Sequence, residues 1–75
     1  MTPAERTALD ALIAWRLATL NYLRACKAWE AAGMSDHPPD EANYWTALRV
    51  ESDAEGAAQI AADAVIRERE EAVSL

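Results

Sequence analysis

Alanine stands at every seventh position along the first part of the chain, at Ala4, Ala11, Ala18, Ala25 and Ala32. No glycine or proline falls between Ala4 and Ala32. A seven-residue apolar repeat is the mark of a helix that supercoils left-handedly on a neighbour, and methyl side chains let the two backbones approach closely. Beside this column runs a second, Ala8, Trp15, Tyr22 and Trp29. Further along, Ala47, Ala54 and Ala61 repeat with the same period, alternating with Val50, Ala57 and Ala64. These patterns predict an all-α fold, an antiparallel helical hairpin with an alanine-rich heptad seam. In this coiled coil the alanine columns face each other, and Trp15, Tyr22 and Trp29 close the flank.

The helix boundaries follow from local chemistry. Thr2 can cap, Pro3 suits the first helical position, and Glu5 completes a capping box three residues after the cap. Gly33 supplies the left-handed residue that ends many helices, and in that register Met34 and Trp29 form the apolar pair of a Schellman motif. The first helix is therefore expected over about 3–32, a length of about 45 Å at 1.5 Å per residue. A turn over 33–38 follows. Pro38 and Pro39 cannot prolong the first helix but are tolerated at the start of a second, where Asp40 and Glu41 complement the dipole. The second helix is expected over about 39–71, making residues 1–75 a single helical domain. An alternative is a three-helix arrangement with a break near Ser52–Gly56. Ser52 and Glu55 fit a second capping box there, and Gly56 costs a helix interior about 1 kcal/mol relative to alanine.

A domain of 75 residues and 8.2 kDa buries a thin core, and small domains are usually stapled by disulfides, a metal or another chain. Cys26 is the one cysteine and His37 the one histidine, which leaves no internal disulfide and too few soft ligands for zinc. Another chain is the staple that remains. The first helix has an apolar side for it: Leu9, Leu12, Ile13, Leu17, Leu20 and Leu23 fall in a broad arc away from Ala18 and Ala25. A hairpin has only one inside, so this arc is the expected oligomer interface. The economical arrangement is a homodimer forming a four-helix bundle, although a different partner would bury the same leucines.

Charge bounds the partners. The net charge is −6, and residues 34–75 carry ten acids against Arg49, Arg67 and Arg69. Phosphate backbones are bound by Lys and Arg, so direct nucleic-acid binding is not expected. No apolar run reaches the length of a membrane span, and no secretion signal is recognisable at Met1, so the expected location is the cytoplasm.

Candidate sites are few. Arg16, Arg24 and Lys27 lie within or beside the leucine arc. They are either an anion site between protomers or stems that cover the apolar face while their heads pair with Glu51 or Glu55. Tyr44 and Trp45, with Glu51 and Glu55, are candidate partner-binding residues, since aromatic side chains anchor many interfaces. Trp45 could equally fold over the turn onto Met34 or Trp29. Asp36, His37, Asp40 and Glu41 lack the spacing of a calcium loop and are better explained by helix capping. Lys27 follows Cys26 in sequence but points about 100° away from it on a helix, so no activated thiol is expected. No catalytic residue, metal site or cofactor is assigned.

The opening Met1-Thr2, Glu5-Arg6-Thr7-Ala8-Leu9-Asp10 is similar to the start of the Rop-like plasmid RNA-binding hairpins. The likeness covers about ten residues. It implies a hairpin that dimerises into a four-helix bundle. The first-helix face that such proteins use for RNA carries Asp10, Ala14, Ala18 and Ala25 here, so RNA binding is not expected to follow from the resemblance. The expected function is a non-enzymatic, acidic protein-interaction module. A small phage or mobile-element inhibitor or adaptor that binds a basic host protein surface fits the size and charge. One alternative is an oligomeric binder of a nucleotide or other small anion through Arg16, Arg24 and Lys27. Another is a small structural subunit of a larger assembly.

Overall fold

A computed structural model describes residues 1–33 and 36–74, and these form two helices packed against each other. Helix α1 spans Pro3–Ala31 and helix α2 spans Glu41–Ser74. The hairpin is slender, 58 × 18 × 15 Å.

The start of α1 follows the capping chemistry. Thr2 N–H donates to Glu5 Oε1 and Glu5 N–H donates to Thr2 Oγ1, each at 3.1 Å, with Pro3 in the first turn. Two backbone donors that the helix itself cannot satisfy are thereby paired. At the far end Gly33 has φ +86°, and its N–H donates to the Glu30 carbonyl at 3.0 Å. An L-residue pays a steric cost in that conformation, which glycine avoids. Met34, the expected apolar partner of Trp29 in a Schellman motif, lies outside the described residues.

Helix α2 begins at Glu41, two residues later than position 39, because Asp40 serves as its cap. Asp40 Oδ1 accepts from Asn43 N–H at 3.1 Å, and the Asp40 carbonyl accepts from Tyr44 N–H at 2.9 Å. Pro39 therefore precedes the cap, and Pro38 is buried. From Glu41 the helix runs unbroken through Ser52 and Gly56, so the three-helix arrangement does not form. A side chain at Gly56 would meet nothing within 4 Å, so no close packing demands a glycine there.

The seam carries both expected α1 columns except for Ala32, which is exposed and caps the end of α1. Ala18 is buried, while Ala4, Ala11 and Ala25 are half-buried, as are Ala8, Trp15, Tyr22 and Trp29. On α2 the alanine column is inward as expected, with Ala47 and Ala61 buried and Ala54 half-buried. Its companion column differs from the expected Val50, Ala57 and Ala64. The inward set is Tyr44, Glu51, Ala58 and Val65, whereas Val50 and Ala57 are exposed and only Ala64 of the expected column is half-buried. The aromatics of α1 decide this register. Trp15 Nε1–H donates to Glu51 Oε1 at 3.0 Å, and the Tyr22 and Tyr44 hydroxyls lie 3.2 Å apart. Turning Val50 inward would leave both polar tips without these partners.

Among the described residues the two helices bury four alanines, Ala18, Ala47, Ala58 and Ala61, with Tyr44 the one bulky member. Close approach is gained at the cost of apolar area. A fully buried Leu or Ile contributes about 1.5–3 kcal/mol, and this core contains none.

Candidate interaction surface

The leucine arc remains outside the hairpin. Leu9, Leu12, Ile13, Leu17 and Leu23 are 42–62% exposed, and Leu20 is half-buried. Heptad geometry explains the placement. With Ala8, Trp15 and Tyr22 directed inward, Leu9 and Leu23 share one flanking column with Arg16, while Leu12 shares the next column with Thr19 and Cys26.

Helix α2 extends this flank. A hollow of about 310 Å³ is lined by Ala8, Leu9, Leu12 and Trp15 from α1 and by Ala58, Gln59 and Ala62 from α2. Beyond it, Ile66, Arg69, Glu70 and Val73 line a second hollow on the same side of α2. Ile66 and Val73 are 53% and 87% exposed. They belong to the column Trp45, Ser52, Gln59, Ile66 and Val73, whose periodicity is interrupted by polar residues and gives little signal in the sequence. At the open end, Arg69 Nη2 donates to Glu5 Oε2 at 3.4 Å, which links the two helices on this flank. The Glu5 carboxyl is held below the usual carboxylate range, first by the Thr2 backbone N–H, then by the Thr2 hydroxyl, with Arg69 adding to both.

The partner-binding candidates separate into two groups. Tyr44 is buried and Glu51 is half-buried in the seam, where it accepts from Trp15. Both are occupied inside the hairpin. Trp45 is 51% exposed, its Nε1–H donating to Glu41 Oε1 at 3.3 Å. Its ring meets the edge of Tyr44 at 5.0 Å, and Trp29 meets Tyr44 from another side at 5.1 Å. Trp45 thus packs on Tyr44, and Met34, its other expected contact at the turn, lies outside the described residues. Glu55 is half-buried and accepts from Gln59 Nε2 at 3.4 Å.

The cations of α1 are not gathered into one site. Arg16 borders a shallow hollow with Leu12, Trp15 and Thr19. Arg24 and Lys27 border another with Leu20, Leu23, Cys26 and Glu30, so a carboxylate shares their hollow. The expected pairing of these heads with Glu51 or Glu55 does not occur. Those acids take Trp15 and Gln59 instead.

Around the turn, Asp40 caps α2 and His37 Nδ1 lies 3.6 Å from Glu41 Oε2. Among the described residues no group of three or more His, Cys, Asp or Glu side chains is placed to hold a metal ion. No described helix is long and apolar enough to cross a membrane. Cys26 is a half-buried free thiol beside the Tyr22 phenol, whose pKa is raised by its hydroxyl partner Tyr44 and then by Cys26.

No family model, curated protein or solved structure matches the chain, so the functional reading rests on the hairpin and its surfaces.

Proposed function

We propose that the chain is a non-enzymatic protein-interaction module that works through the apolar flank of the hairpin. The observation that carries this reading is the contrast between its two sides. The seam is filled mainly by alanine, while Leu9, Leu12, Ile13, Leu17 and Leu23 face outward. A soluble monomer rarely leaves a contiguous apolar patch of this kind uncovered.

Surface area supports the same reading. The chain exposes 5663 Å². A compact monomer of this mass exposes about 4,500 Å², so the hairpin carries an excess of roughly 1,100 Å². Two copies covering that excess on each other would bury about 2,200 Å² in total, within the range of permanent homodimers. Association into a four-helix bundle is the form of the module we favour, and the acidic outer side of α2 would then meet a basic protein partner. An inhibitor or adaptor role, of the kind small phage and mobile-element proteins perform, is consistent with this charge.

Sedimentation across a wide concentration range, on the wild type and on a Leu9→Lys/Leu12→Lys variant, tests the flank. A dimer lost in the variant is the expected result. A wild type that stays monomeric, together with a variant that captures host partners unchanged, would rule out the flank as the working surface. Capture from the host at two salt concentrations tests the second half of the proposal, since a basic partner held by α2 should be lost at high salt.

A further inference from the structure

The flank carries charge as well as leucine, and the charges sit in places that distinguish two ways of pairing it. Arg16 shares the Leu9–Leu23 column of α1, and Leu9 lines the hollow between the helices. Glu55 shares the Leu48–Ala62–Arg69 column of α2, and Ala62 lines that same hollow. The Trp15–Glu51 and Tyr22–Tyr44 contacts fix the register of the hairpin. By that register Arg16 and Glu55 stand within about one or two helical turns of each other, near mid-length, on one face of the molecule.

Two copies that pack this face on itself in full overlap have two symmetric choices. If the two-fold axis lies across the helices, α1 covers α1 and the turns lie at opposite ends. Arg16 then meets Arg16, Glu55 meets Glu55 and Glu5 is brought over Glu30, with Arg69 over Glu41 the one favourable pair. If the axis runs along the helices, α1 of each copy covers α2 of the other and the turns lie at the same end. Arg16 then meets Glu55, and Glu5 meets Arg69. Like charges also approach in this arrangement, Glu5 near Glu70 at the open end and Glu30 over Glu41 at the turn end, where His37 lies 3.6 Å from the Glu41 carboxylate. Apolar residues meet apolar residues both ways: Leu9 and Leu12 fall on Ile66 and Ala62 in one, and on Leu23 and Cys26 in the other. Charge is what separates them, because like charges brought together at an interface select against that pairing.

We propose that the occupant of the flank is a second copy of this chain, related by a two-fold axis parallel to the helices, with both turns at one end and Arg16 of each copy on Glu55 of the other. This rests on the interaction-module reading and specifies its partner and geometry. The arrangement brings Asp36, Asp40 and Glu41 of both copies to one end of the bundle.

The test is a distance. Ala31, exposed at the end of α1, is replaced by cysteine in a Cys26→Ala background and spin-labelled. With turns at the same end the labels lie under about 25 Å apart, since only neighbouring helices at 8–10 Å separate them. With turns at opposite ends they lie about 40 Å apart, since most of the length of α1 intervenes. A charge swap provides a second readout. Arg16→Glu or Glu55→Arg alone should weaken the dimer roughly tenfold, and the double swap should restore it. A long distance in a chain that still dimerises, or single reversals without effect, would overturn the orientation and leave the interaction-module reading standing. A chain that remains monomeric at every concentration would overturn the second copy as the occupant.

Discussion

Tyr44 touches three aromatic rings, with centroids 5.6 Å from Tyr22, 5.1 Å from Trp29 and 5.0 Å from Trp45. Between helices whose other buried residues are alanines, this cluster supplies the bulk that ties the turn end together. Tyr44→Ala should therefore cost about 3–5 kcal/mol, in the range of large aromatic truncations. That is a large share of the roughly 5–15 kcal/mol that holds a typical domain. Tyr44→Phe keeps the rings and loses only the hydroxyl contact with Tyr22, so about 1 kcal/mol is expected. Urea unfolding of both variants checks the contrast, and an alanine variant as stable as the phenylalanine one would mean the rings contribute little. The same cluster sets an alkaline limit. Its hydroxyl partnership with Tyr44 raises the Tyr22 phenol above its ordinary value, so the folded state retains that proton where the unfolded chain has lost it. The stabilisation is complete below the ordinary phenol pKa of about 10 and is lost as pH rises through the higher folded value. Spectroscopic titration should find tyrosinate appearing later in the folded chain than in urea. Coincident curves would contradict the contact.

At the scale of the helices, Gly56 separates local preference from the demands of the fold. It lies within an unbroken α2, and a methyl group there would meet nothing within 4 Å. Gly56→Ala should stabilise the hairpin by about 0.5–1 kcal/mol, read as a higher thermal midpoint. Destabilisation would mean that α2 needs a bend at that point. Gly33→Ala should do the reverse, since φ there is +86°. The ends of α1 and the continuity of its seam were legible in the sequence, because Thr2, Glu5, Gly33 and the alanine column each carry their own signal. The second inward column of α2 was not. Val50, Ala57 and Ala64 hold the seven-residue period with better apolar character than Tyr44, Glu51, Ala58 and Val65. The choice depended on where the Trp15 indole and the Tyr22 hydroxyl would find partners, which is a tertiary fact. The leucine arc could be read because one helix carried more apolar residues than one seam can bury. The contribution of Ile66 and Val73 could not, because Ser52 and Gln59 dilute their column.

For the molecule as a whole, shape and stability are linked. Its radius of gyration is 17.0 Å, whereas a compact chain of this length has one of about 11 Å. A rod two helices wide has a large perimeter and a narrow seam, and this seam is filled by methyl groups. Under the proposed association, much of the apolar burial that resists unfolding lies between copies rather than within one. Folding and association are then the same equilibrium, and mass action makes stability depend on concentration. A tenfold increase in protein should raise the thermal midpoint by about 3–5 °C, from a gain of about 0.7 kcal/mol per chain and the unfolding entropy of a domain this size. Leu12→Lys places a charge in the inter-helix hollow while leaving every residue of the alanine seam and of the Tyr44 cluster in place. It should lower the midpoint at every concentration and flatten its concentration dependence, while helical content at low temperature falls with the loss of association. Gln59→Lys, which lines the same hollow but removes no apolar side chain, should have a smaller effect. A wild-type midpoint that does not move over a hundredfold range of concentration would place the stabilising contacts inside the single hairpin, and the exposed leucines would then need a different partner.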